Sequence, residues 1–342
     1  MGLHFIFGAA GTGKTRRCCE EIRDYVTGEK GRSAFFLVPD QETYTAERML
    51  ADIFPGHGFI DATVCGFSRL AYRVFNELRS PVQDALSPLG QQIIISRILA
   101  EHRDELQMLM KISSQPHFAE NLMNLFHQLD MFCISETALH EASRTEEGTP
   151  LGRKLADLSL LYKNYHDYLH SRFSYEGSLF DLLAGEIPKS EILRRSRIWI
   201  DGFNGMTPQK IRIVSALIHT AEEVTFTLPL PDTKEGLSNE IFARPANLYA
   251  LLSEEEPHFD SVKLPEMKRF RCPRLRCLAA DYFQNVPSPC PLPKETSPVP
   301  EKGIHIVSAP DSQAEADFIS RRILSLVRDK NLRWRDILVL LR

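Results

Sequence analysis

The 342-residue chain has no apolar run near the roughly 18 residues that a membrane-crossing helix needs, so no membrane role is expected. It has no large excess of either charge. Lys and Arg number 41 against 45 Asp and Glu, a net of -4. A nucleic-acid partner would therefore meet a local basic groove, not a global field. The first residues, "MGLHFIFGAAGTGK", lack a basic leader and a small-residue cleavage site, so a cytoplasmic protein is expected. Cysteine is sparse, and its count of seven is odd, which argues against a disulfide framework. Cys272, Cys277 and Cys290 form the only local cluster. Their spacing fits no common zinc pattern and no His completes a set, so they read as surface thiols. Cys18 and Cys19 read as small core fillers. His166 and His170 share a helix face but lack the Glu of H-E-x-x-H. With His117 and His127 they read as helix-surface residues.

What remains is ordinary globular material, 43% hydrophobic and 25% charged, long enough for two or three domains. "LHFIF" at 3–7 predicts a buried strand, and a glycine loop follows. "TRRCCEEIRDYV" predicts a helix. "SAFFLVPD" predicts a second strand and "ETYTAERMLADIF" a helix. "FIDATVCGFSRLAYRVFNEL" reads as a third strand running into a helix. Such alternation implies an α/β fold with a doubly wound parallel sheet. From 88 to 185 the pattern is helical, with apolar residues three and four apart, an expected insertion. Strand signal returns at "SRIWIDGF", then come a helix at "QKIRIVSALIHTA" and a strand at "EVTFTLPL". The stretch beyond reads as irregular, ending in a proline-rich linker at 285–303. "GIHIVSAP", "SQAEADFISRRILSLVRDK" and "DILVLLR" predict strand, helix and strand. The expected domains are 1–87, the first part of the sheet domain; 88–185, helical; 186–284, its second part; the linker 285–303; and 304–342, the start of a second, truncated α/β domain.

Gly8, Gly13, Lys14 and Thr15 match G-x-x-x-x-G-K-[ST], the Walker A loop. Its glycines let successive amides of Gly8, Ala9, Ala10, Gly11, Thr12 and Gly13 curl around a phosphate, and the next helix starts there. Lys14 is placed for the β- and γ-phosphates of ATP, and the Thr15 hydroxyl for Mg²⁺. Asp201, ending the apolar run "RIWI", is the expected second metal-side group. Motors of this kind usually follow that Asp with a Glu that orients the attacking water, but here the next residue is Gly202. Losing a positioned base costs roughly 10²–10⁴ in rate. The sequence therefore predicts ATP binding with slow or no hydrolysis.

Taken with "FFLVPDQETYTAERML", "VCGFSRLAYRVF", "RIWIDGFNGMTPQ", "IFARPANLYALL" and "AEADFISRRILSLVRDKNLRWRDILVLLR", this loop resembles UvrD-type superfamily 1 helicases, and specifically the AddB (RexB) type of subunit. That resemblance implies a P-loop NTPase (RecA-like) fold, a degenerate motor, and a heterodimer with an AddA-type partner that drives unwinding. It also implies DNA binding, scanning for the recombination hotspot Chi, and a nuclease with an iron–sulfur cluster. Nuclease and cluster residues would lie beyond Arg342, so this chain is expected to lack that activity, with no cluster ligand assigned among its cysteines.

"VPDQ" and "GFSRLA" fall where such motors meet single-stranded DNA. Gln41 is read either as a contact or as a helix cap. Ser68 is read as a cap, with Phe67 stacking on a base and Arg69 meeting a phosphate as the functional alternatives. Gln209 is read as a residue near a helix start or as a coupling residue. "RRSR" at 194–197 reads as a solvated strand edge. The competing functions are an active superfamily 1 translocase, opposed by Gly202, and a small-molecule kinase, opposed by the chain's organisation.

Overall fold

The structure is a computed structural model describing residues 2–28, 32–54, 56, 58–80, 86–115, 117–170, 176–230, 240–270, 272–281 and 304–341. It divides into two compact units, Met1–Arg269 and Phe270–Arg342. The proline-rich 285–303 and Cys290 lie outside the described residues.

The first unit is built on a six-stranded, all-parallel sheet. Its strands are β1 (Leu3–Phe7), β2 (Ser33–Leu37), β3 (Ala62–Cys65), β4 (Ser196–Ile200), β5 (Glu223–Leu228) and β6 (Phe259–Lys263), in spatial order β3-β2-β4-β5-β1-β6. The central strands are apolar at consecutive positions because both sheet faces are covered. Phe5, Phe7, Phe35, Leu37, Ile198, Ile200 and Phe226 point to one face, and Ile6, Ala34, Phe36, Val64 and Trp199 to the other. Helices α1 (Lys14–Gly28) and α2 (Thr43–Ile53) cover the second face, where Cys18, Cys19 and Ile22 are buried as core fillers. Helices α3 (Phe67–Leu78), α8 (Glu176–Glu186), α10 (Pro208–Thr220) and α11 (Ala243–Glu255) cover the first. Burying a side chain of Phe or Leu size contributes about 1.5–3 kcal/mol.

A separate core joins α4 (Pro88–Glu101), α5 (Phe118–Met131), α6 (Glu136–Thr145) and α7 (Pro150–His170), with Phe126, Tyr162, Tyr165 and Leu169 at its centre. Polar side chains also build this layer. The Gln91 amide oxygen accepts from Tyr165 Oη at 2.8 Å and lies 2.8 Å from His127 Nε2. Asp130 accepts from Tyr162 Oη at 2.6 Å and lies 3.2 Å from His166 Nε2. His127 and His166 are thus internal contacts, not the surface residues expected; His117 is exposed, and the His170 side chain lies outside the described residues.

Two expectations fail on secondary structure. The stretch after β5, expected to be irregular, contains α11, β6 and α12 (Pro273–Asp281). β6 escaped notice because "FDSVK" is an edge strand with an exposed, mixed pattern. Conversely, the strands expected at "GIHIVSAP" and "DILVLLR" are not formed in the described residues of the second unit. A strand needs a neighbour for its backbone hydrogen bonds. None pairs with these runs among the described residues, and Ile306 and Leu340 stand 96% and 85% exposed. Between them α13 (Ser312–Lys330) forms as expected, with the Asp311 carboxylate accepting from the Ala314 N–H at 2.7 Å. Cys277 is disulfide-bonded, against the expectation of a surface thiol. Among the described residues no helix is long and apolar enough to cross a membrane.

Candidate nucleotide-binding cleft

β1 ends at Phe7 and α1 begins at Lys14, so the glycine loop is the turn between a buried strand and its helix. Gly11 and Gly13 have φ of 93° and 95°, a left-handed backbone that glycine adopts without strain. Thr12 is buried and ties the curl together, its hydroxyl donating to the Ala9 carbonyl at 3.0 Å. The Lys14 ammonium donates to the carbonyls of Gly8 at 2.7 Å and Ala9 at 3.1 Å. Burial pushes its pKa down, against the opposing pull of Asp201.

Ala10, Gly11, Gly13, Lys14 and Thr15 line a cleft of about 660 Å³, together with Asp201 and Gly202. Chain topology makes this meeting possible, because parallel strands bring their carboxyl ends to one edge of the sheet. Asp201 follows β4 directly and is 4% exposed. Its N–H donates to the Leu37 carbonyl at 3.0 Å, and its carboxylate accepts from the hydroxyl of Thr227 on β5. Thr15 and Asp201 offer hard oxygen donors, the ligand type Mg²⁺ takes alongside substrate phosphates and water. No cluster of three or more His, Cys, Asp or Glu is arranged for a metal among the described residues.

Sequence reasoning missed several lining residues. Glu42 enters the cleft from the turn after β2, although Gly202 had suggested a pocket without a second acid. Burial, then the charge of Asp201, pushes its pKa up. Thr227 comes from β5. Lys268 and Arg269 come from the segment after β6, whose course is fixed on the loop itself. The N–H groups of both donate to the Gly11 carbonyl, at 2.9 and 3.0 Å. A Cβ on Gly11 would lie 2.9 Å from that of Arg269, so the second loop glycine is also where this segment crosses closely. The basic run "MKRFR" was the available signal, hidden by the missed strand before it.

The residues read as DNA contacts separate. Gln41 is exposed on the turn Asp40–Glu42 and caps nothing, since Glu42 is the N-cap of α2. Arg69 is exposed, reaching the Val64 carbonyl at 3.4 Å and Glu47 at 3.6 Å. Ser68 is half-buried inside α3, whose N-cap is Gly66; a side chain at that cap would collide with the carboxylate of Asp40. Phe67 is 3% exposed and packs on Phe203 with ring centroids 5.5 Å apart, so core packing takes the ring that was read as a base platform. Gln209 is 1% exposed and hydrogen-bonded to Asp181 of α8, away from the cleft lining. Within "RRSR", Arg197 pairs with Glu223 at 3.3 Å along the sheet.

Comparison with known proteins places this geometry in a lineage. A family model described as "ADDB, N-terminal" matches residues 5–278. The chain is similar to an ATP-dependent helicase/deoxyribonuclease subunit of Heliobacterium modesticaldum, 33% identical over all of this chain and 29% of the relative. The subunits of the same name from Pelotomaculum thermopropionicum and Bacillus velezensis are 33% and 29% identical, again over the whole chain. The chain spans about 30% of the length of these relatives.

Proposed function

We infer function from family and site together: the chain belongs to the ADDB amino-terminal family, and its cleft is built for a nucleoside triphosphate with Mg²⁺. The observation that carries the reading is the convergence of Lys14, Thr15 and Asp201 on one cleft, although they lie on elements far apart in sequence. A P-loop, RecA-like fold is supported by β5 lying between β1 and β4, which lets Thr227 orient the Asp201 carboxylate. Loop amides and the α1 N-terminus would receive phosphate oxygens. Lys14 would exchange its loop carbonyls for the β- and γ-phosphates, and Lys268 and Arg269 would add charge from the facing segment. Thr15 and Asp201 would hold Mg²⁺, which when bound supplies charge neutralisation at the phosphates.

The relatives are named subunits of an ATP-dependent helicase/deoxyribonuclease. For this chain we propose the corresponding role: a helicase-like, ATP-binding region of a DNA-break-processing complex, partnered by an AddA-type subunit, serving DNA binding and Chi scanning with weak or no motor activity of its own. Exposed Gln41 and Arg69, with the exposed rings of Tyr44 on α2 and Tyr72 on α3, supply the polar and stacking groups a single strand needs. The proposed domains are 1–87 and 186–284 for the nucleotide-binding part, 88–185 for the helical insertion, 285–303 for the linker, and 304–342 for the start of a second α/β domain.

Titration with a fluorescent ATP analogue tests the site. Lys14→Ala is expected to weaken binding at least tenfold, and equal binding would remove the phosphate assignment. An active translocase is the second reading, favoured by a carboxylate in the cleft. Steady-state turnover of about 1–100 per second with single-stranded DNA would establish it.

A further inference from the structure

Gly202 removes the acid that should follow Asp201, yet the space it vacates is not empty of carboxylate. Gly202 has φ of 84°, which suits glycine, and a Cβ built on it would lie 2.7 Å from Oε2 of Glu42 and 3.0 Å from Cδ of Pro39. A second acid thus stands where the side chain of residue 202 would begin. The sheet puts it there. β2 and β4 are hydrogen-bonded neighbours with Leu37 opposite Ile200, and the chain leaves each strand at the same edge. After β2 it turns through Pro39 into Asp40–Glu42, while after β4 it passes Asp201 and Gly202. Glu42 is held on firm backbone, since its N–H donates to the Pro39 carbonyl at 2.8 Å and it forms the N-cap of α2. Its carboxylate makes no helix-cap bond and lines the same cleft as Lys14, Thr15 and Asp201.

We propose that Glu42 is the carboxylate that orients and deprotonates the attacking water, in place of the acid that position 202 lacks; this rests on reading the cleft as an ATP site. As the water oxygen bonds to the γ-phosphorus, Glu42 accepts a water proton. The bond from that phosphorus to the β–γ bridging oxygen breaks, and its electron pair leaves with ADP. Inorganic phosphate is the second product, and the proton passes from Glu42 to solvent. Chemistry lost at one strand end is thereby supplied from the neighbouring one, so hydrolysis is slow but real.

The test compares the parent chain with Glu42→Gln and Glu42→Asp by three measurements: affinity for a fluorescent ATP analogue, single-turnover hydrolysis with enzyme in excess, and melting temperature without nucleotide. Glu42→Gln is expected to keep affinity within twofold, to keep or raise the melting temperature, and to lower the single-turnover rate about 100-fold. Glu42→Asp, a shorter base, should fall between. An unchanged rate in Glu42→Gln overturns the proposal. So does a parent chain that binds ATP and never cleaves it, or a parallel loss of affinity and rate, which would make Glu42 a ligand-holding group. Failure of the parent to bind the analogue is a separate result, and it overturns the ATP site itself.

Discussion

Two buried aspartates, one in the helical layer and one at the sheet edge, show how a fold separates structural charge from working charge. Asp157 on α7 is 2% exposed and Asp201 is 4% exposed. Either would be costly to bury without partners. Asp157 commits its oxygens to the protein's own backbone. It accepts from the N–H groups of Gln107 at 2.9 and 3.1 Å, Met108 at 2.8 Å and Leu109 at 2.9 Å, and so fixes the turn entering the second half of the helical core. Asp201 accepts from a hydroxyl and turns into a cleft beside the Lys14 ammonium. The first carboxylate is saturated by donors that cannot leave; the second keeps capacity for a ligand.

Paired substitutions break this comparison if it is wrong, and they carry the largest effect. Asp157→Ala strands three backbone donors, so it should cost about 3 kcal/mol or more of stability. ATP affinity should stay within twofold. Asp201→Asn should do the reverse, losing Mg²⁺-dependent affinity at least tenfold while changing stability by less than about 1 kcal/mol. Urea denaturation and analogue titration read both. A shared outcome, with each variant losing stability and affinity together, would collapse the distinction.

The same contrast explains what could be read before the structure. β1, the glycine loop and Asp201 were legible because each is a local pattern: an apolar run, a fixed spacing, an acid ending a strand. The predicted strand at 3–7 and the observed β1 coincide. Glu42, Thr227 and Arg269 were not legible, because strand register and a crossing segment, not spacing, bring them to the cleft. Phe67 was misread because a strand-to-helix turn offers the same sequence whether its aromatic faces a ligand or the core. The strands at "GIHIVSAP" and "DILVLLR" carried real β-propensity, but propensity describes a fit to a sheet and does not supply the neighbour.

Buried thiols extend the comparison to groups that the fold silences. Burial is the largest cause pushing the Cys19 and Cys65 thiols up to about 12, from an ordinary 9.0. The folded pKa is the raised one, so their contribution to stability is complete below pH 9 and is lost as pH rises toward 12. Between pH 8 and 10 each thiol should remove about 1 kcal/mol, from the ionisation gained by the unfolded chain. Urea midpoints over that range should fall for the parent and fall less for Cys19→Ala or Cys65→Ala. Identical slopes would mean that these thiols ionise freely in the folded chain, and that burial does not silence them.

Helix caps give the smallest and sharpest contrast. In the helical layer, the Ser87 hydroxyl accepts from the Gly90 N–H at 3.2 Å and that of Ser135 from the Ala138 N–H at 3.1 Å. At the sheet edge, α2, α3 and α10 begin without a side-chain cap. Thr207, the N-cap of α10, is the telling case, because its Oγ1 is buried and has no hydrogen-bond partner among the described residues. Ser135→Ala should therefore cost about 1 kcal/mol, the usual loss of a cap. Thr207→Val removes a hydroxyl that satisfies nothing and keeps its shape, so it should be neutral or stabilise by up to about 1 kcal/mol. If Thr207→Val instead costs as much as Ser135→Ala, that hydroxyl caps α10 after all, and the sheet-edge helices are closed by the same device as those of the helical layer.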